Sequence, residues 1–160
     1  MDAFTLLGED HDEILDLLAR IVQVRPSATD ATAAQLQRCK DLVSRLILVE
    51  AQHQALEKEC FWPVVRNELP EGPRLASSAR AREDTARHEL ARLDRTAPDA
   101  PEFEGLLDAV VDDIRAHITY EQHSVWPKVR ETLSPERLAQ VGDRMTRSRS
   151  STPPGFARKA

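Results

Sequence analysis

A duplicated motif constrains the fold of this chain more than any other feature. HQALEKECFWP spans residues 53–63 and HITYEQHSVWP spans residues 117–127, an offset of 64. The identical positions are His53/His117, Glu57/Glu121, Trp62/Trp126, Pro63/Pro127, Val65/Val129, Arg66/Arg130 and Leu69/Leu133. Four residues of an α-helix turn through about 400°, so each His lies one turn from its Glu on the same face. The repeat therefore predicts two equivalent helices that each present a His and a carboxylate.

Mostly apolar residues recur at intervals of three and four in three long segments, and a few histidines and glutamates occupy positions in the same stripes. This spacing is typical of helices packed in a bundle. The three stripes are Leu7, His11, Ile14, Leu18, Ile21; Leu36, Cys39, Val43, Leu46, Glu50, His53, Glu57, Cys60; and Phe103, Leu107, Val110, Ile114, His117, Glu121. The chain has only 5 glycines, and 31% of its residues are charged, which favours amphipathic helices over alternating strands. We predict an all-α, up-down-up-down four-helix bundle.

Prolines and capping residues set the predicted helix boundaries. The first helix covers about residues 2–24, and Thr29 or Asp30 caps the second, which kinks at Pro63 and continues to about residue 69. The third, weakly patterned helix covers about 74–95, with Ala81 and Ala91 on the face of His88. The fourth begins near 103. Ser134-Pro135-Glu136 opens a short C-terminal fifth helix that ends near residue 147.

The C-terminal segment differs in charge from the rest of the chain. From residue 144 onward there are five basic residues and no acidic ones. The net charge of the whole chain is −5, so residues 1–143 carry about −10. We predict one bundle domain over residues 1–147 and a disordered basic tail over 148–160. The acidic body should repel nucleic acid.

Other broad classes are also disfavoured by the sequence. No apolar run reaches the length of a membrane span, and the start lacks the pattern of a signal peptide, so we expect a cytoplasmic protein without a membrane partner. Cys39 and Cys60 would lie roughly 30 Å apart on one helix, which excludes a disulfide between them. The sequence carries no signal for an oligomeric state.

Four of the five histidines fall one per long helix, at His11, His53, His88 and His117. A single histidine in an apolar stripe is ordinarily a satisfied core residue. Four histidines together with Glu57 and Glu121 indicate something else. Burying two carboxylates without partners costs several kcal/mol each, and neutral imidazoles do not fully compensate, so the cluster is either hydrated or holds a cation. Imidazole and carboxylate ligands suit iron or manganese and tolerate zinc, and six side chains suit two metals bridged by carboxylates.

The order of these residues resembles the hemerythrin-like, HHE cation-binding family over roughly residues 5–130. The resemblance implies a non-haem di-iron centre with an oxo or hydroxo bridge. Its expected ligands are His11, His53, Glu57, His88, His117 and Glu121. Glu57 and Glu121 would bridge the two iron ions, with the first two histidines on one ion and the last two on the other.

One departure from the oxygen-carrying hemerythrins concerns the third helix. Those proteins have two histidines one turn apart, whereas Asp84 precedes His88 here. A carboxylate, a water or Tyr120 would fill the gap, and a more anionic site would favour ferric iron. Glu50 is expected to orient a ligand rather than bind metal, and His123 is expected at the surface.

Further side chains near the site have expected structural roles. Trp62 and Trp126 are expected to pack at the end of the bundle, and Cys60 to be a small core residue.

The resemblance leaves three functions to compare. The first is a scavenger whose di-iron centre reacts with hydrogen peroxide, nitric oxide or dioxygen, including a catalase-like decomposition of peroxide. The second is an oxygen or iron sensor that binds without turnover, and the third is a metal-free bundle with a hydrated polar core. We rank scavenging first, because a sensor needs an output element and the basic tail is the only candidate.

Overall fold

The structure is a computed structural model that describes residues 1–26 and 30–151. In chain order, the α-helices are α1 (Ala3–Val24), α2 (Ala33–Leu56), α3 (Trp62–Glu68), α4 (Gly72–Asp94), α5 (Phe103–Tyr120), α6 (Trp126–Thr132) and α7 (Pro135–Ser151). Two π-helical segments, π1 (Glu57–Phe61) and π2 (Glu121–Val125), join α2 to α3 and α5 to α6. These described ranges contain no strand, which confirms the predicted all-α class.

The four long helices close into a bundle. α1 packs against α2 and α5, while α4 packs against α2 and α5. The fifth predicted helix is α7, which packs on α1 and contacts α2 and π1. It continues to Ser151 rather than ending near residue 147. The rest of the predicted tail, residues 152–160, lies outside the described residues.

The start of α2 differs from the prediction. Thr32 caps the helix: its hydroxyl accepts from the Gln35 N–H at 3.1 Å, and the Gln35 amide oxygen accepts from the Thr32 N–H at 2.9 Å. This reciprocal pair satisfies two backbone donors that a helix end leaves open. The predicted cap at Asp30 is therefore wrong, and Thr29 lies outside the described residues.

Each copy of the repeat contains a π-helical segment that begins at its glutamate. The Trp62 N–H donates to the Glu57 carbonyl, and the Trp126 N–H donates to the Glu121 carbonyl, five residues back in each case. The proline that follows each tryptophan lies in the first turn of the next helix, where a missing N–H is tolerated. The break predicted at Pro63 thus takes the form of a widened turn before the proline.

The apolar core forms two separate clusters with a polar layer between them. On α1, Leu7 belongs to one cluster and Ile14 to the other, with His11 between them. On α4, Ala79 belongs to the first cluster and Ala86 to the second, with Glu83 between them. The buried polar residues are Asp10, His11, Glu50, His53, Glu57, Glu83, His117 and Glu121.

Candidate metal centre

Five of the six predicted ligands lie together in the polar layer. They are at most 4% exposed, and the set is His11, His53, Glu57, His117 and Glu121. α1 supplies one, α2 with π1 supplies two, and α5 with π2 supplies two. The apolar stripes of these helices turn the polar members inward together with the apolar ones.

The sixth predicted ligand, His88, does not join this group. Its ring is exposed, and its Nδ1 lies 2.7 Å from the Asp84 carbonyl oxygen of the same helix. Asp84 itself is paired with Arg87 at 2.8 Å on the outer side of α4. Glu83 points into the bundle instead, with 8% exposure. Five residues of helix separate Glu83 from His88, which is a rotation of about 140° beyond one full turn.

The first group of potential ligands comprises His11, His53, Glu57 and Glu121. Each offers one ligand atom, and these atoms lie within 4.8 Å of one another. The His11 Nε2 is 3.0 Å from a Glu121 oxygen, and the His53 Nε2 is 3.4 Å from a Glu57 oxygen. Two imidazoles and two carboxylates therefore converge on one small volume.

A second group comprises Glu57, Glu83, His117 and Glu121, again with ligand atoms within 4.8 Å of one another. The His117 Nε2 lies 2.9 Å from the other Glu121 oxygen. Glu57 and Glu121 belong to both groups. The arrangement is that of two adjacent cation sites that share two carboxylates, one with two imidazoles and one with an imidazole and a third carboxylate.

The hydrogen-bonding state of these atoms fits a metal centre. Among the described residues, no hydrogen-bond partner is found for the Nε2 atoms of His11, His53 and His117 or for either oxygen of Glu57 and Glu121. They approach one another closely without hydrogen-bonding geometry. Buried polar atoms without partners are costly, and cations bound between them would satisfy all of them together.

The two shared carboxyls differ in their electrostatics. Burial and the nearby Glu121 charge raise the pKa of Glu57 well above its ordinary value. Burial would also raise the pKa of Glu121, but the His117 charge and the contacts with His11 and His117 outweigh it and lower that pKa. Two carboxyls this close cannot both ionise easily without a cation.

The site imidazoles differ as well. Burial lowers the pKa of His11 despite its contact with Glu121. Burial acts in the same direction on His53, but its hydrogen bond to Asp10 and the surrounding carboxylates raise its pKa overall.

Several other residues make polar contacts with the candidate ligands. The Nδ1 of His53 lies 3.3 Å from a carboxylate oxygen of Asp10, and the Gln122 amide lies 3.0 Å from the Nδ1 of His11. The Trp62 indole N–H donates to Glu83 at 3.1 Å. Such contacts fix the orientation of a ligand side chain and tune its metal affinity.

The remaining polar candidates lie outside the two ligand groups. The Glu50 carboxylate is buried and accepts from the Gln54 amide at 3.1 Å. The Tyr120 hydroxyl donates to the Leu75 carbonyl at 3.3 Å, and His123 is exposed as predicted.

Trp62, Trp126 and Cys60 are buried in the apolar cluster that contains Leu7, so Cys60 is a core residue as predicted. The Trp126 ring stacks on His11 at a centroid distance of 5.4 Å. Cys60 is buried and free, as is Cys39.

Fold and site together define a helical-bundle protein built to bind metal cations. The sequence profile of the hemerythrin HHE cation binding domain matches residues 2–129. The chain therefore belongs to the hemerythrin HHE cation-binding family.

Its fold is similar to a crystal structure of a hemerythrin HHE cation binding domain-containing protein from Mycobacterium kansasii, with a TM-score of 0.76 and 19% sequence identity. That similarity covers 94% of this chain and 86% of the other. No curated protein matches the chain significantly. Within the described ranges, none of the helices is long and apolar enough to cross a membrane.

Proposed function

We propose that this protein holds two iron ions and uses them to consume small oxidants, namely hydrogen peroxide, nitric oxide or dioxygen. The observation that carries the proposal is the pair of overlapping ligand groups that share Glu57 and Glu121. A single ion would leave part of this ligand set without a partner. Shared carboxylates are the usual means of holding two ions at bonding distance from common oxygens.

Each residue has a role in this proposal. His11 and His53 would hold one iron, Glu83 and His117 would hold the other, and Glu57 and Glu121 would serve both. Bound iron would supply redox chemistry toward small oxidants. The side chains around it are at most 8% exposed, so the bundle excludes bulky reductants and substrates.

The ligand set favours scavenging over reversible oxygen carriage. Neither of the two histidines that the oxygen carriers have on the third helix is matched here, because Asp84 stands in place of one and His88 is exposed, and Glu83 offers a carboxylate in that part of the site. Three imidazoles and three carboxylates then surround the two ions. A more negative ligand set stabilises the more highly charged ferric state by Coulomb attraction. Ferric iron suits reaction with peroxide better than carriage of dioxygen.

The test is anaerobic loading of the purified protein with ferrous iron. We expect about two irons per chain, as suits a shared-carboxylate site, a visible absorption that peroxide perturbs, and oxygen release measured with an electrode. Glu57→Ala should lose most of the iron, and so should Glu121→Ala. The exposed His123→Ala serves as the matched control and should retain it.

The other outcomes are equally clear. A protein that takes up no iron would contradict the proposal. Two irons without any turnover of peroxide or nitric oxide would contradict scavenging and favour a sensor. Loss of iron in His123→Ala would contradict the division of the histidines into buried ligands and surface residues.

A further inference from the structure

The end of α7 reaches the metal-ligand layer from outside the region matched by the HHE family. That match ends at residue 129, and α7 begins at Pro135. Near the other end of the helix, the Arg149 guanidinium donates to the Asp10 carboxylate, and it also lies 3.4 Å from the Leu6 carbonyl oxygen. Asp10 is only 6% exposed, so this ion pair is largely desolvated on the acidic side.

Asp10 also contacts the proposed ligand His53. The same carboxylate oxygen that faces Arg149 lies 3.3 Å from the Nδ1 of His53. A proton on Nδ1, donated to Asp10, leaves the lone pair of Nε2 directed toward the site. Arg149, Asp10 and His53 thus form a continuous polar chain from α7 to the ligand group.

The duplicated half of the site has no such chain. His117 is the repeat counterpart of His53, and its Nδ1 has no hydrogen-bond partner among residues 1–26 and 30–151. The motif is the same in both halves, so the difference comes from what packs behind it. Asp10 of α1 and Arg149 of α7 together make two equivalent histidines inequivalent.

Several contacts that do not involve Arg149 also hold α7 against the bundle. Ser148 donates to Glu59 at 2.7 Å, and Arg137 binds Glu68 through its Nε at 3.1 and 3.2 Å. Gly142 lies so close to the start of the chain that a Cβ there would be 2.2 Å from the Met1 carbonyl oxygen. The helix is thus held along its length against α1, π1 and α3.

We propose that Arg149 is a positioning residue for His53, and that α7 thereby sets the metal affinity of one half of the centre. The inference rests on the proposed two-metal site. Arg149 holds the Asp10 carboxylate in the orientation that accepts from Nδ1, and this carboxylate holds the imidazole plane. Without the guanidinium, Asp10 loses the charged partner that orients its carboxylate toward His53, and the tautomer and ring orientation of His53 are less well fixed.

The test is a Co²⁺ titration of the full chain, followed by visible absorption and by competition with a chelator. For Arg149→Gln we expect about 10-fold weaker binding of one ion, and little change for the other. Arg149→Lys keeps the charge and should recover part of the loss. Arg137→Gln is the matched control, because it removes a paired arginine from the same helix without touching Asp10. It should bind both ions as the parent protein does.

A double variant separates positioning from general loosening of α7. Asp10→Asn should weaken the same ion, and adding Arg149→Gln to it should cause no further loss, because both act through one chain. Equal losses in Arg137→Gln and Arg149→Gln would overturn the proposal, as would independent losses in the double variant. If the parent protein and Arg149→Gln both bind two ions with the same affinity, this inference alone is overturned. A parent protein that binds none overturns the two-metal site as well.

Discussion

Replacing Glu57 by Gln should stabilise the metal-free protein and destabilise the metal-loaded one. The carboxyl is fully buried, and burial together with the Glu121 charge raises its pKa above the ordinary value of 4.5. The folded protein then binds a proton more tightly than the unfolded chain does. Stability from this group is present below pH 4.5 and is lost as the pH rises toward the folded-state pKa. Gln resembles the protonated carboxyl in shape and carries no such dependence.

The size of the effect follows from linkage. Each pH unit between the unfolded and the folded pKa costs the parent protein about 1.4 kcal/mol relative to the variant. Metal acts in the opposite direction. At a free concentration 1,000 times Kd, one bound ion adds about 4 kcal/mol to the free energy of unfolding. The variant lacks a shared ligand and should lose most of this gain.

Urea unfolding followed by circular dichroism measures both effects. The series runs from below pH 4.5 to pH 7, once with chelator and once with Zn²⁺, which has no redox chemistry. Glu131→Gln, at an exposed position of α6, is the control and should shift the free energy by less than about 0.5 kcal/mol. If the difference between parent and Glu57→Gln is the same at every pH in chelator, the Glu57 carboxyl does not carry the burial cost and the reasoning fails.

Three further predictions concern the other half of the site and the docking of α7. Glu83→Ala should bind about one metal ion instead of two, whereas His88→Ala should keep both, as measured by metal analysis per chain; the reverse pattern would restore His88 as a ligand. Trp62→Phe removes the indole donor to Glu83 and should weaken metal binding about 10-fold by calorimetry. Trp126→Phe keeps an aromatic ring beside His11 and removes an indole nitrogen that has no hydrogen-bond partner in the described part of the chain. It should not weaken binding, and an equal loss would refute a role for the Trp62 donor. Gly142→Ala should lower the urea-unfolding free energy by about 1–3 kcal/mol through overpacking, and an unchanged midpoint would show that α7 adjusts freely.

Periodicity was enough to place most of the site. His53 and Glu57 lie one turn apart on one face, and the repeat supplied the second pair with the same register. His11 continues the stripe of Leu7 and Ile14, so its burial followed from the same pattern. The bundle topology required only short connections between the four long helices.

The α4 member of the ligand groups, Glu83, was missed because its helix is weakly patterned. A histidine drew the prediction to His88, but the buried stripe runs through Ala79, Ala86 and Leu90 in steps that include position 83. Following the small apolar residues rather than the histidine would have found Glu83. The π segments left no comparable signal, since only the backbone shows the extra residue before each Trp-Pro.

The contact between Arg149 and Asp10 could not be predicted from local pattern. The two residues are 139 positions apart, and no helical period links them. Their contact depends on how α7 folds back across α1, which is a property of the assembled bundle.

The polar layer between the two apolar clusters lowers the stability of the bundle and at the same time forms the proposed metal centre. Replacing its buried charged and imidazole side chains by apolar ones of similar volume would join the clusters into one core, and such exchanges are often neutral or stabilising. The same exchange would remove the proposed metal centre. Selection for thermostable variants in a medium without metal should therefore accumulate substitutions at these positions, and the bundle would become more stable as it loses its ligands.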